Sequence, residues 1–234
     1  MPKHHRLKTA FALTLLLTGL PVIAAEVRGV VSVQQTGLFD DRGEQLKTVP
    51  VSVALFPAEG QMLPRRGGEE HVITVSGSQI LPLYLAISRG DSVRFENQDN
   101  IYHELFTHSH AHPLELHLDR SGVGRTAALV FDEVGDLHWF CRIHAKSYAR
   151  IDVVDTPLVR MLHAGESFEF RDLPPGKWRL RVAAPGAETR MVEAEALTAP
   201  PPLQIPLAIK GIALEASAAA QPVSIEQLFP SQPG

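Results

Sequence analysis

The chain has 234 residues, 44% of them hydrophobic, with 22 Lys+Arg against 26 Asp+Glu and a formal net charge of -4. That length suits one large or two small domains, and the acidic balance argues against a nucleic-acid partner. A single cysteine excludes an internal disulfide framework.

Residues 1–25 read as a secretory leader. Lys3, Arg6 and Lys8 make a basic start, residues 10–20 an apolar run, and Val22, Ile23, Ala24 and Ala25 a cleavage region. The run is too short for a mature anchor, and no later stretch is apolar enough to cross a bilayer. The expectation is a periplasmic protein with no membrane span in the mature chain. Loss of the three basic residues leaves 19 Lys+Arg against 26 Asp+Glu, a net of -7.

Beyond the leader the legible elements are strands. Residues 26–33 alternate, 39–43 form a turn, and 49–56 make a second strand with Val49, Val51, Val53 and Leu55 on one face. Residues 57–70 are a polar loop. Short strands follow at 72–75, 83–87 and 91–96, the last with Val93 and Phe95 inward; the strand-like run continues over 92–102 and ends at His103. His108, His110 and His112 alternate, so an extended chain sets three imidazoles on one side. They read either as a second, exposed metal site or as a solvated loop. Leu114, Leu116 and Leu118 then alternate as a strand.

Residues 127–131 and 135–141 lead to the cysteine. Leu137, Trp139 and Cys141 share one face, so a core role for the first two turns the thiol inward. His138 and Phe140 share the other, and His138 reads as structural. Ile151 and Val153 continue the core. Farther on, 165–182 reads as strand, turn, strand, with Trp178, Leu180 and Val182 facing one way and Lys177, Arg179 and Arg181 the other. Pro200, Pro201 and Pro202 make a stiff break, 203–214 a last strand, and 215–234 a disordered tail. Short strands between turn signals, without an amphipathic helix, define an all-β chain of sandwich or barrel type.

Cys141 and His144 are spaced C-x-x-H, and His103 lies upstream beside another strand. In an oxidising compartment a free thiol is a liability unless buried or bound. One thiolate and two imidazoles on neighbouring strand ends make a soft three-ligand site of the kind copper takes. A structural zinc site normally wants four protein ligands. Asn97 and Asp99 read as loop-fixing residues. No serine–histidine–acid set or carboxylate pair is legible, so an enzyme is not expected.

Asn97, Asp99, His103 and Phe106 (N-x-D-x-x-x-H-x-x-F), then Phe131, Gly135 and C-x-x-H, resemble the cupredoxins. Within these, residues 72–154 are similar to periplasmic plastocyanin-like proteins of the methylamine-utilisation type. The resemblance implies a Greek-key β-sandwich or barrel holding copper on His103, Cys141 and His144. The family's weak axial methionine is replaced here by Ser147. Ser147 and Glu104 are therefore candidate axial or auxiliary ligands, although on an extended chain Glu104 points away from the His103 side. Leu173, Pro174, Pro175 and Gly176, followed by Trp178, Leu180 and Val182, resemble the second half of a carboxypeptidase-regulatory-like β-sandwich. Its first half lies at 27–56, if the copper unit interrupts it; an end-to-end order fits equally. The division expected is 26–70, 71–155 for the copper unit, and 156–214 for the second sandwich. The function implied is electron transport through copper to a redox partner protein. Storage, delivery or sensing with a copper donor or acceptor, or a non-redox binding module, are the alternatives.

Overall fold

In the computed structural model, residues 24–36, 47–58, 63, 68–107, 113–122 and 128–210 are described. Residues 1–23 of the expected leader at 1–25, the His108, His110 and His112 cluster, and the expected tail at 215–234 lie outside them. The described residues form sixteen strands and no helix. In chain order these are β1 (Ala25–Thr36), β2 (Pro50–Pro57), β3 (Glu70–Ser76), β4 (Gln79–Leu81), β5 (Tyr84–Ser88), β6 (Ser92–Asn97), β7 (His103–Thr107) and β8 (Glu115–Leu118). There follow β9 (Leu129–Val130), β10 (Gly135–Cys141), β11 (Tyr148–Val154), β12 (Val159–His163), β13 (Ser167–Leu173), β14 (Gly176–Ala183), β15 (Arg190–Ala196) and β16 (Leu203–Lys210).

Two cores form, one inside the other in chain order. Sheets β13-β1-β16 and β12-β2-β14-β15 enclose Val31, Val53, Leu55, Phe170, Trp178, Leu180 and Val182. Sheets β5-β11-β10-β7-β8 and β4-β3-β6-β9 enclose Ile73, Phe95, Leu105, Trp139, Cys141 and Ile151. The strands before residue 58 thus pair with those after residue 158, and the second sandwich is built from the chain between them. Gly29 sits where β1 is squeezed: a Cβ there would stand 2.6 Å from the Leu203 carbonyl oxygen and 2.8 Å from the Phe168 ring. Only glycine allows this approach.

β2 buries both faces. Val51, Val53 and Leu55 enter the outer core, while Ser52 and Ala54 are equally sealed, because their face meets β5. There Ser52 Oγ donates to the Tyr84 hydroxyl at 2.6 Å, since the Tyr84 proton goes to Asp152 Oδ2 at 2.9 Å. Asp152 is itself buried and takes Arg150 at 2.6 Å and Arg181, from β14, at 2.8 Å. Burial, then the Asp152 charge, raises the Tyr84 pKa well above the ordinary phenol range. The phenol is therefore a neutral peg between the two sandwiches. Tyr84→Phe is expected to cost about 1–3 kcal/mol, the penalty for leaving a buried polar partner such as Ser52 unsatisfied. Chemical denaturation checks this, and a change near zero would mean that water replaces the hydroxyl.

One sequence expectation needs correction. The run 92–102 does not continue as a strand to His103: β6 stops at Asn97, and His103 opens β7. Asn97 causes the break. Its Oδ1 accepts the Asp99 N–H at 2.8 Å, and its Nδ2 donates to the carbonyls of Ile101 and Asp119 at 2.7 and 2.8 Å. Local side-chain bonds of this kind compete with the sheet ladder.

Candidate metal centre

The inward alternation of β7 and β10 brings the site together. His103, Leu105 and Thr107 are buried on one face of β7, and Trp139 and Cys141 on the inner face of β10. Antiparallel pairing sets Cys141 opposite Leu105, so His103 and the thiol lie at the same end of the inner sandwich. His144 comes from the connection between β10 and β11. Cys141 Sγ stands 3.8 Å from His103 Nδ1 and 3.6 Å from His144 Nδ1. The three ligand atoms lie within 4.8 Å of one another.

These separations fit a bound ion. Metal–ligand lengths of roughly 2.3 Å to sulfur and 2.0–2.1 Å to imidazole nitrogen, at angles of about 110–120°, put sulfur and nitrogen about 3.6–3.8 Å apart. His103 and the thiol are buried, whereas His144 is half-exposed. Cys141 belongs to the same buried apolar cluster as Trp139, whose ring lies 4.6 Å from that of Phe95. A dry apolar shell limits solvent access to such a site.

Asp99 orients the buried imidazole. His103 Nε2–H donates to Asp99 Oδ2 at 2.9 Å. In a neutral ring that leaves the Nδ1 lone pair facing Cys141. Burial lowers the His103 pKa; Asp99 opposes this and His144 adds to it. Burial would raise the Asp99 pKa, but the N–H groups of Ser78 and Gly77, with His103, outweigh it and hold the carboxyl below its ordinary value. The pair is a neutral imidazole on a carboxylate, the usual support of a metal-ligating histidine. Asp99→Ala is expected to weaken metal binding about 10–100-fold, read by competition with a chelator of known affinity; unchanged affinity would remove Asp99 from the site.

The same two-residue turn anchors both ligand-bearing loops. Gly77 and Ser78, at φ 59° and 62°, join β3 to β4 in the hairpin conformation that needs positive φ at both central positions. Asp99 accepts their two N–H groups at 2.7 and 2.8 Å. On the other side the buried Ser147 hydroxyl donates to the Ser78 carbonyl. Ser147 thereby acts as a strut for the 141–148 loop. Glu104 stands on the opposite face of β7 from His103, half-buried, and is not part of the three-residue group. Its carbonyl accepts the Arg142 N–H at 2.9 Å. The Gly77–Ser78 anchor was missed by sequence reading, although a glycine–serine pair between two short strands is a hairpin signal.

No family model and no curated protein matches the chain. Solved structures to which it is similar include an amicyanin mutant in the Cu(I) state, at 17% identity over 36% of this chain and 81% of that chain, TM-score 0.33. A purple cupredoxin from Nitrosopumilus maritimus is 21% identical over 36% of this chain and 99% of that one, TM-score 0.30. Amicyanin from Paracoccus versutus is 18% identical over 36% and 80%, TM-score 0.30.

Proposed function

We propose that the chain is a periplasmic copper protein of cupredoxin type, a carrier of single electrons rather than an enzyme. The observation that carries this reading is the convergence of Cys141 Sγ with the Nδ1 atoms of His103 and His144, with Asp99 holding the buried ring. A His₂Cys set is the diagnostic donor arrangement for copper electron transfer. Bound copper would supply a reversible one-electron couple. The chain's own residues do the rest. Cys141 offers the soft donor, and His103 and the Trp139 side close the site to water. His144 carries it to the surface. Exposed Ile101, Tyr102 and Ile143 flank the two histidine segments and suit a partner protein's apolar patch. The Ser147 hydroxyl donates to Ser78, so His103, Cys141 and His144 would be the residues that hold the copper.

Titration of the purified chain with Cu(II) tests the reading. One equivalent should bind with an intense visible thiolate-to-copper absorption that ascorbate bleaches and air restores. A pale histidine-only spectrum, or no uptake, would overturn it.

A further inference from the structure

The outer face of β10 and β11 carries a second chain of chemistry. His138 Nε2–H donates to Asp136 Oδ2 at 2.9 Å. A carboxylate only accepts, so the Nε2 proton lies in this bond, and in a neutral ring that leaves Nδ1 as an acceptor. Nδ1 lies 2.8 Å from the Tyr148 hydroxyl, which therefore donates to it. Phenol, imidazole and carboxylate form a continuous line. The Tyr148 ring also packs 5.4 Å from Phe140, its partner across the ladder, and Phe140 is bonded to Cys141.

The other two tyrosines lack this arrangement. Tyr84 donates to Asp152, a carboxylate that already accepts from Arg150 and Arg181. Tyr102 is half exposed and stacks on His117 at 5.6 Å. Burial, before any charge, pushes the Tyr148 pKa up to about 12, so the phenol is protonated at rest.

We propose that Tyr148, His138 and Asp136 form a proton-coupled redox site, in which Tyr148 gives one electron to outer-sphere one-electron oxidants and its proton to His138. The Tyr148 O–H bond breaks, one electron leaves to the oxidant, and an N–H bond forms at His138 Nδ1. The products are a neutral phenoxyl and an imidazolium facing the Asp136 carboxylate. One electron from a reductant sends the proton back. Passing the proton internally avoids forming a phenol radical cation, which is the costly alternative. The position beside Phe140 gives the site its use: an oxidising equivalent reaching this end of the sandwich is taken by the phenol instead of the Cys141 sulfur. The inference does not depend on copper.

The test uses the full metal-free chain and flash-generated tris(bipyridine)ruthenium(III). Phenoxyl is followed by transient absorption and electron paramagnetic resonance in light and heavy water. The radical should vanish in Tyr148→Phe and persist in Tyr102→Phe. In His138→Ala its formation should slow by about 100-fold, the order of magnitude a positioned base contributes, with added imidazole restoring the rate. Asp136→Asn, at an exposed position that spares the core, should slow it in the same direction. Heavy water should slow the unaltered chain. A radical that survives Tyr148→Phe, or a rate indifferent to both His138→Ala and Asp136→Asn in folded protein, would overturn the proposal.

Discussion

Cys141→Ser is expected to abolish the thiolate absorption and most of the tight metal binding while leaving the fold in place. The sulfur is the one soft, ionisable donor of the three-residue group. A serine hydroxyl is hard and stays neutral, and it is too short to reach the point midway to two Nδ1 atoms now 3.6 and 3.8 Å from sulfur. The loss should exceed the roughly 10–100-fold that removal of an outer-shell partner costs, so Cys141→Ser and Asp99→Ala should rank in that order in a chelator competition. Equal binding by Cys141→Ser and the unaltered chain would place the metal elsewhere.

Trp178→Ala is expected to cost about 3–5 kcal/mol, the range for emptying a large buried aromatic site. Trp178 is 1% exposed, at the centre of the outer core, and its Nε1–H donates to the Pro174 carbonyl at 3.1 Å. The bond ties the 174–176 turn to β14, so the substitution loses a cavity's worth of packing and a turn anchor together. Denaturant unfolding followed by circular dichroism reads the change. A cost within about 0.5 kcal/mol, ordinary for surface positions, would contradict the burial.

Period-two alternation carried most of what was legible. Val49, Val51, Val53 and Leu55 share a buried face, as do Trp139 and Cys141, and Trp178, Leu180 and Val182. Their side chains are large and apolar, so one face declares itself. The second buried face of β2 did not, because Ser52 and Ala54 are small or polar, and Ser52 meets its partner Tyr84 from 32 residues away. Pairing was equally hidden: β1 finds β13 and β16 through backbone bonds that carry no side-chain signature. At the site, the spacing of His103, Cys141 and His144 singled out three side chains whose ligand atoms lie within 4.8 Å of one another, and Asn97 and Asp99 were legible as loop-fixing residues. Their specific partners were not. The Asp99 bond to His103 depends on a turn at 98–102 where the pattern suggested strand. The role of Ser147 rests on a backbone carbonyl, that of Ser78, which no residue identity announces.

Copper K-edge X-ray absorption on the chain loaded with one equivalent of copper addresses the central claim most directly. A first shell of one sulfur and two imidazole nitrogens, with the sulfur lost in Cys141→Ser, is the predicted result. A shell of nitrogen and oxygen alone in the unaltered chain would contradict it.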